Sequence, residues 1–239
     1  MKKTIITLLA LAGIAAAAET TQVLWSLDFT GTDITSSYAE GVSLSGVPGT
    51  TNDGLTLNAA PVTLQQTGSI LTYNDEFIYS VTLKVNSLNV NYPEFVGMGE
   101  LNNDGSYKNG WKAGYYKNEN YFCLDWDGFS AVTDSTTKHS GNLTITTGET
   151  ITLTLHNDGN GTLTMYVGDA KAGSSTVSEA ELSREISVFS LGGRINGKTN
   201  NNSNITVYSA NLSKIVPEPT TATLSLLALC GLAARRRRK

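Results

Sequence analysis

Thr150-Ile-Thr-Leu-Thr-Leu-His-Asn-Asp-Gly-Asn-Gly-Thr-Leu-Thr-Met-Tyr-Val167 decides the fold class of this 239-residue chain. Ile151, Leu153 and Leu155 alternate with Thr152, Thr154 and His156, and Leu163, Met165 and Val167 alternate with Thr162, Thr164 and Tyr166. A period of two puts one residue type on each face of a pleated strand, so each run reads as a half-buried antiparallel strand. Between them, His156-Asn-Asp-Gly-Asn-Gly161 supplies residues that accept left-handed backbone, and the spacing predicts a hairpin.

The same period extends outward in both directions. Trp25, Leu27 and Phe29 alternate with Ser26, Asp28 and Thr30, and Phe77, Tyr79, Val81, Leu83 and Val85 alternate along one stretch. Lys117 to Asn120 predicts a turn between a strand carrying Trp111 and one starting at Tyr121. Helix signals are scarce: Ser178 to Arg184 predicts a turn or two, with Ser178 capping and Glu181 three residues on. The reading is one all-β domain over residues 22–215, an antiparallel β-sandwich of about a dozen strands.

Both ends read differently. Met1-Lys2-Lys3, the apolar run Thr4 to Ala18 and the small residues Ala16 to Ala18 predict a signal peptide over residues 1–18. At the other end, Val216-Pro217-Glu218-Pro219 precedes an apolar block, Ala222 to Ala234, and the cations Arg235, Arg236, Arg237, Arg238 and Lys239. The 13-residue block makes a helix of only about 20 Å. A bilayer core is about 30 Å thick, so the segment predicts a transient span. The five terminal cations act as a membrane stop that stays cytoplasmic. Two prolines keep the preceding motif extended.

Motif, apolar segment and basic end in this order resemble the PEP-CTERM protein-sorting tail of bacterial exported proteins. The resemblance covers residues 216–239 and implies that Pro217, Glu218 and Pro219 are the recognition motif of an exosortase. It implies a location in the cell envelope, on the outer surface or in the extracellular matrix of a Gram-negative-type bacterium. Before processing, the C-terminal segment would tether the chain to the inner membrane.

Charge excludes some partners. Seven of the 17 basic residues but only one of the 21 acids lie in the two ends, so residues 19–216 carry 20 acids and 10 bases. That net of −10 argues against nucleic acid and anionic membrane as partners. Cys123 is the one cysteine outside the apolar tail, so the body holds no internal disulfide, and the residue reads as a buried small hydrophobe.

A second resemblance concerns the body. The hairpin above, the close Asn204-Ile-Thr-Val-Tyr-Ser-Ala-Asn-Leu-Ser213 and the opening Leu24-Trp-Ser-Leu-Asp-Phe29 look like strands of laminin-G-like and concanavalin A-like domains. The resemblance implies a jelly-roll β-sandwich of lectin or glucanase type, flanked here by the N-terminal signal helix and the C-terminal hydrophobic helix. It implies no single activity, because one fold hosts many functions.

The densest polar-aromatic stretch runs from Asn109 to Phe129. Phe122, Leu124 and Trp126 fall on one face of their strand, with Tyr121, Cys123, Asp125 and Asp127 on the other. Trp111, Tyr115, Tyr121, Asp125 and Asp127 are the candidate ligand-binding residues, since sugar sites combine aromatic faces with carboxylates. Asp125 and Asp127 sit ~6.5–7 Å apart along a strand, a separation that glycoside hydrolases use. Laminarinase-type hydrolases share the resembled fold and carry Glu-x-Asp-x-x-Glu, but Ser130 stands where the third carboxylate belongs. A non-catalytic domain that binds polysaccharide or extracellular matrix is therefore favoured. A divergent glycoside hydrolase and a purely structural matrix protein are the alternatives.

No cofactor is expected. Calcium is the one cation whose chemistry suits the oxygen donors Asp125 and Asp127, Asn102 to Asp104, or Asp158 to Asn160. None of these stretches follows a calcium-loop pattern, and His139 and His156 belong to no zinc motif.

Overall fold

The computed structural model describes residues 19–49, 51–58, 60–103, 107–127, 138–139, 143–193, 195 and 204–217. The predicted signal helix, the apolar block 222–234 and the basic end lie outside the described residues, as do Glu218 and Pro219. No helix among the described residues is long and apolar enough to cross a membrane.

Alternation becomes strand throughout. In order these are β1 (Glu19–Asp28), β2 (Thr35–Tyr38), β3 (Ser43–Ser45), β4 (Leu55–Leu57), β5 (Val62–Thr67), β6 (Leu71–Thr72), β7 (Glu76–Ser87), β8 (Glu94–Leu101) and β9 (Tyr107–Tyr116). They continue with β10 (Tyr121–Asp127), β11 (Lys138–His139), β12 (Thr150–Asp158), β13 (Thr162–Val167), β14 (Ala170–Thr176), β15 (Glu185–Ile186), β16 (Val188–Leu191) and β17 (Asn204–Pro217). Among the described residues, helix is confined to one 3₁₀ turn, Glu179–Glu181. Ser178 occupies the predicted cap position, but its hydroxyl makes no capping bond, and the Ser178 carbonyl instead accepts from the Glu181 N–H.

Two antiparallel sheets hold all of these strands except β6 and β15, which pair with each other in a separate two-stranded ladder. The eight-stranded sheet runs β14-β13-β12-β7-β17-β1-β2, with β4 also paired to β17, and the seven-stranded sheet runs β11-β10-β9-β8-β16-β5-β3. A compact unit spans Thr21–Ile215. Its core is one cluster drawn from the inner faces of both sheets. Phe189 on β16 packs edge-on against Trp25 of β1 at 5.3 Å and Tyr79 of β7 at 5.1 Å, joining the sheets at their middle. The polar tips of the two partners are satisfied across the same gap. Trp25 Nε1 donates to Gln66 Oε1 at 2.8 Å, and the Tyr79 hydroxyl donates to the Ser190 carbonyl at 3.3 Å.

The predicted hairpin joins β12 to β13, with Leu155 opposite Met165. Asp158 Oδ1 accepts from the backbone N–H groups of Asn160 (2.8 Å) and Thr162 (2.9 Å), while Gly159 and Gly161 take φ of 74° and 83°. The Asp158 carboxylate is thus committed to the turn, which accounts for its position without calcium. The second predicted turn, 117–120, links β9 to β10, with Asn120 at φ 54° and Tyr116 opposite Tyr121.

Candidate ligand face on the seven-stranded sheet

Strands β9 and β10 carry the predicted site residues, and their register is Tyr116↔Tyr121, Gly114↔Cys123, Lys112↔Asp125 and Trp111↔Trp126. Trp111 and Tyr115 face the inter-sheet core at 2% and 1% exposure, so neither offers a surface to a ligand. This corrects the assignment of both as ligand-binding residues. Their parity matches Ala113, and apolar burial outweighs any display of the ring. Tyr115 packs edge-on against Phe122 at 5.1 Å and donates to Asn120 Oδ1 at 3.1 Å.

Tyr121, Cys123 and Asp125 project from the opposite face as the alternation requires, yet this face is not a bare solvated one. Tyr92, from the segment leading into β8, lies over it and forms a small second cluster with Tyr121 and Cys123, packed by Tyr116. Tyr92 and Tyr116 stack at 4.4 Å, and Tyr116 and Tyr121 stack at 4.8 Å. Gly114 makes the stack sterically feasible. A Cβ there would sit 2.6 Å from the Pro93 carbonyl oxygen and 3.0 Å from the Tyr92 ring. Tyr121 is only 6% exposed, and Tyr116 is covered on both ring faces, so neither is a free stacking platform. The exposed aromatic expected at Tyr121 is corrected: Tyr116 of β9 stacks on its ring, and Tyr92, just before β8, closes the same cluster.

Beneath and beside the stack lies a charge-bearing network. Lys112 Nζ sits 3.3 Å from Glu94 Oε1 and 3.9 Å from Asp125 Oδ2, and 5.6 Å from the centre of the Tyr92 ring. The Tyr92 hydroxyl donates to Asp125 Oδ2 at 3.1 Å and accepts from Cys123 Sγ at 2.9 Å. Burial, reinforced by the negative groups around it, pushes the Tyr92 phenol well above its ordinary value. Burial likewise raises the Cys123 thiol, so the residue is an inert, packed S–H, as its sequence context predicts. Tyr121 is pushed up to about 12 by burial first and the Glu119 carboxylate second.

Glu94 is the carboxylate that sequence reasoning missed. Its side chain is almost wholly buried, and one ammonium separates it from Asp125. The Tyr92-Pro93-Glu94 triplet was its only local signal, and the pairing Glu94↔Gly114 that brings it here is a long-range choice. Asp125 keeps 35% of its side chain exposed, and Lys112 keeps 16%. The Asp127 side chain lies outside the described residues, as do Asp104 and Ser130, so the Asp125/Asp127 pair has no measured geometry. Asn102 and Asn103 lie at the exit of β8. No group of three or more His, Cys, Asp or Glu among the described residues is placed to hold a metal ion.

Comparison with known proteins adds the following. Residues 216–239 match the family model described as the PEP-CTERM protein-sorting motif, and the chain carries that tail. Such a tail indicates an exported protein of a Gram-negative-type cell envelope. No curated protein matches the sequence. Among solved structures, the fold is similar to the Trypanosoma rangeli sialidase in complex with sialic acid. That match has TM-score 0.51 and 17% identity, covering 80% of this chain and 30% of the sialidase. It is also similar to the binding domain of botulinum neurotoxin DC in complex with SialylT, at TM-score 0.50 and 13% identity, covering 80% of this chain and 47% of the other. The chain therefore spans less than half of either structure, and at these identities the likeness shows the β-sandwich fold alone.

Proposed function

We propose that this protein is an exosortase-processed surface protein whose concanavalin A-like jelly-roll domain binds carbohydrate without catalysis. The tail, held at the inner membrane by its apolar block until processing, delivers the domain outward. The observation that carries the binding half is the Lys112–Asp125 pair at the rim of the tyrosine stack. Asp125 is oriented by the Tyr92 hydroxyl and Lys112, yet over a third of its side chain remains open to a partner.

An oriented acceptor beside an ammonium donor suits the paired hydroxyls of a sugar ring. Preorganisation by the buried layer lowers the ordering cost of binding. The mode is hydrogen bonding at the rim, since both faces of Tyr116 are already occupied. The non-catalytic reading is supported by the burial of Glu94 against Lys112, which leaves that carboxylate with no route to a glycosidic oxygen.

A glycan array with the full chain tests the reading. Binding to at least one polysaccharide, lost in Asp125→Ala and in Lys112→Ala, is the expected result. Retention in both variants, or no binding to any glycan, overturns the rim site. Release of reducing sugar by the wild-type protein overturns the non-catalytic claim. Mass spectrometry of the envelope-localised protein should show loss of the C-terminal cations.

A further inference from the structure

The outer face of the eight-stranded sheet has a composition of its own. Ser80 and Thr82 on β7 stand opposite Thr154 and Thr152 on β12, and opposite Asn211 and Ser209 on β17. All six are part-exposed, and none is ionisable. Four of them have hydroxyls locked across the strands: Ser80 Oγ to Thr154 Oγ1 at 2.9 Å, and Thr82 Oγ1 to Thr152 Oγ1 at 3.0 Å. The next strand sets Tyr166 opposite Thr154, which adds a part-exposed aromatic at the margin of the hydroxyl field. Charge returns at the borders, with Lys84 at one end, the His156–Glu76 pair (3.0 Å) at the other, and the exposed Lys171 of β14 opposite Tyr166.

Four strands at ~4.8 Å spacing make this plane about 14 Å wide. Its strands are interior to the sheet, with their backbone groups spent on neighbours, so a partner cannot add a strand and must read side chains. The occupant follows from charge. The body carries 20 acids against 10 bases, so an acidic polysaccharide or a second copy brings repulsion to this side. The centre of the patch carries no cation to offset that repulsion, the nearest standing at its margin on Lys84 and Lys171. A neutral polyhydroxylated chain meets no repulsion, and each locked pair keeps one free O–H donor and open acceptor lone pairs for sugar hydroxyls, with little rotamer entropy left to lose.

We infer that the outer face of the eight-stranded sheet, centred on Ser80, Thr82, Thr152 and Thr154, is a second carbohydrate surface that takes uncharged polysaccharide. The inference rests on the carbohydrate-binding reading above and places a separate contact on the opposite side of the sandwich. With one face at Lys112–Asp125 and one here, a single domain would bridge two chains of a matrix.

Affinity electrophoresis of the full chain through gels containing dextran, mixed-linkage β-glucan, galactomannan or alginate tests it. Retardation by a neutral polysaccharide and not by alginate is expected. Thr82→Val with Thr152→Val keeps β-branched shape and should weaken that retardation by about tenfold, as loss of several hydrogen bonds implies. Ser80→Ala with Asn211→Ala provides an independent pair should the valine variant fail to fold by circular dichroism. Asp125→Ala should leave part of the retardation in place. Unchanged retardation in both outer-face variants, with loss in Asp125→Ala, overturns this surface and leaves the rim site standing. Preference for alginate also overturns it. No retardation of the wild-type chain by any neutral polysaccharide overturns both.

Discussion

The Tyr92 hydroxyl donates to Asp125 Oδ2 across 3.1 Å, so one phenol ties the approach to β8 to the outer face of β10. It also takes the S–H of Cys123, leaving none of the three groups without a partner in a small, mostly dry cluster. Tyr92→Phe removes the donor and strands the thiol. A loss of about 1–3 kcal/mol is expected by urea unfolding, and Tyr92→Phe with Cys123→Ala should cost less than the two single losses added together.

Lys112 is the counter-charge for a carboxylate that water cannot reach. Lys112→Met should destabilise on the order of 3 kcal/mol, because Glu94 keeps its burial and loses its ammonium. Adding Glu94→Gln should restore much of that loss. Equal stability of the single and double variants would show that Glu94 draws its compensation elsewhere.

The two glycines of the β12–β13 turn are not equivalent. Both have positive φ, but a Cβ on Gly161 would lie 2.5 Å from Leu182 Cδ2 and 2.8 Å from Val177 Cγ2, whereas one on Gly159 meets nothing nearer than 3.3 Å. Gly161→Ala should therefore cost more than Gly159→Ala, by about 1 kcal/mol or more in thermal unfolding. Asp158→Ala should cost about 1 kcal/mol through loss of its two backbone donors.

Stability should fall at both ends of the pH range. For Asp75, burial raises the carboxyl, but the Lys214 ammonium at 2.7 Å and the Thr72 N–H and hydroxyl outweigh it, leaving its value below the ordinary one. A lowered folded-state value stabilises above the unfolded value and is lost as pH falls through it, near and below about 4. Cys123 and Tyr121 act in the opposite sense. Their folded values are raised, to about 12 for Tyr121, so the unfolded chain ionises first. Stability then declines as pH climbs above about 9. Cys123→Ala should remove the earliest part of that alkaline decline. A flat profile from pH 8 to 11 would contradict the burial assigned to this cluster.

At the centre of the sandwich, Phe189 touches both Trp25 and Tyr79. Phe189→Ala should cost about 3–5 kcal/mol, with loss of the near-ultraviolet signal of Trp25.

Local hairpins were legible because a turn names its own partners: β12–β13 follows from Asn157 to Gly161, and β9–β10 from Lys117 to Asn120. The neighbours of β7 were not. It lies between β12 and β17, whose paired residues are 66 to 82 and 117 to 137 positions further on, and alternation reports a strand's face without its partner. For the same reason the pattern does not bring Tyr92 and Glu94 to the site, and parity alone does not say which face of β9 meets the core, where Trp111 and Tyr115 lie.

Period-two patterning by itself determined an all-β body, and the motif, apolar block and basic terminus by themselves determined a sorting tail, because both signals are contiguous in the chain. Only the tertiary structure decided that Tyr121 would be covered and Asp125 held by Tyr92 and Lys112. Those contacts depend on which distant strand docks alongside β9, and that choice is set by packing of the whole core.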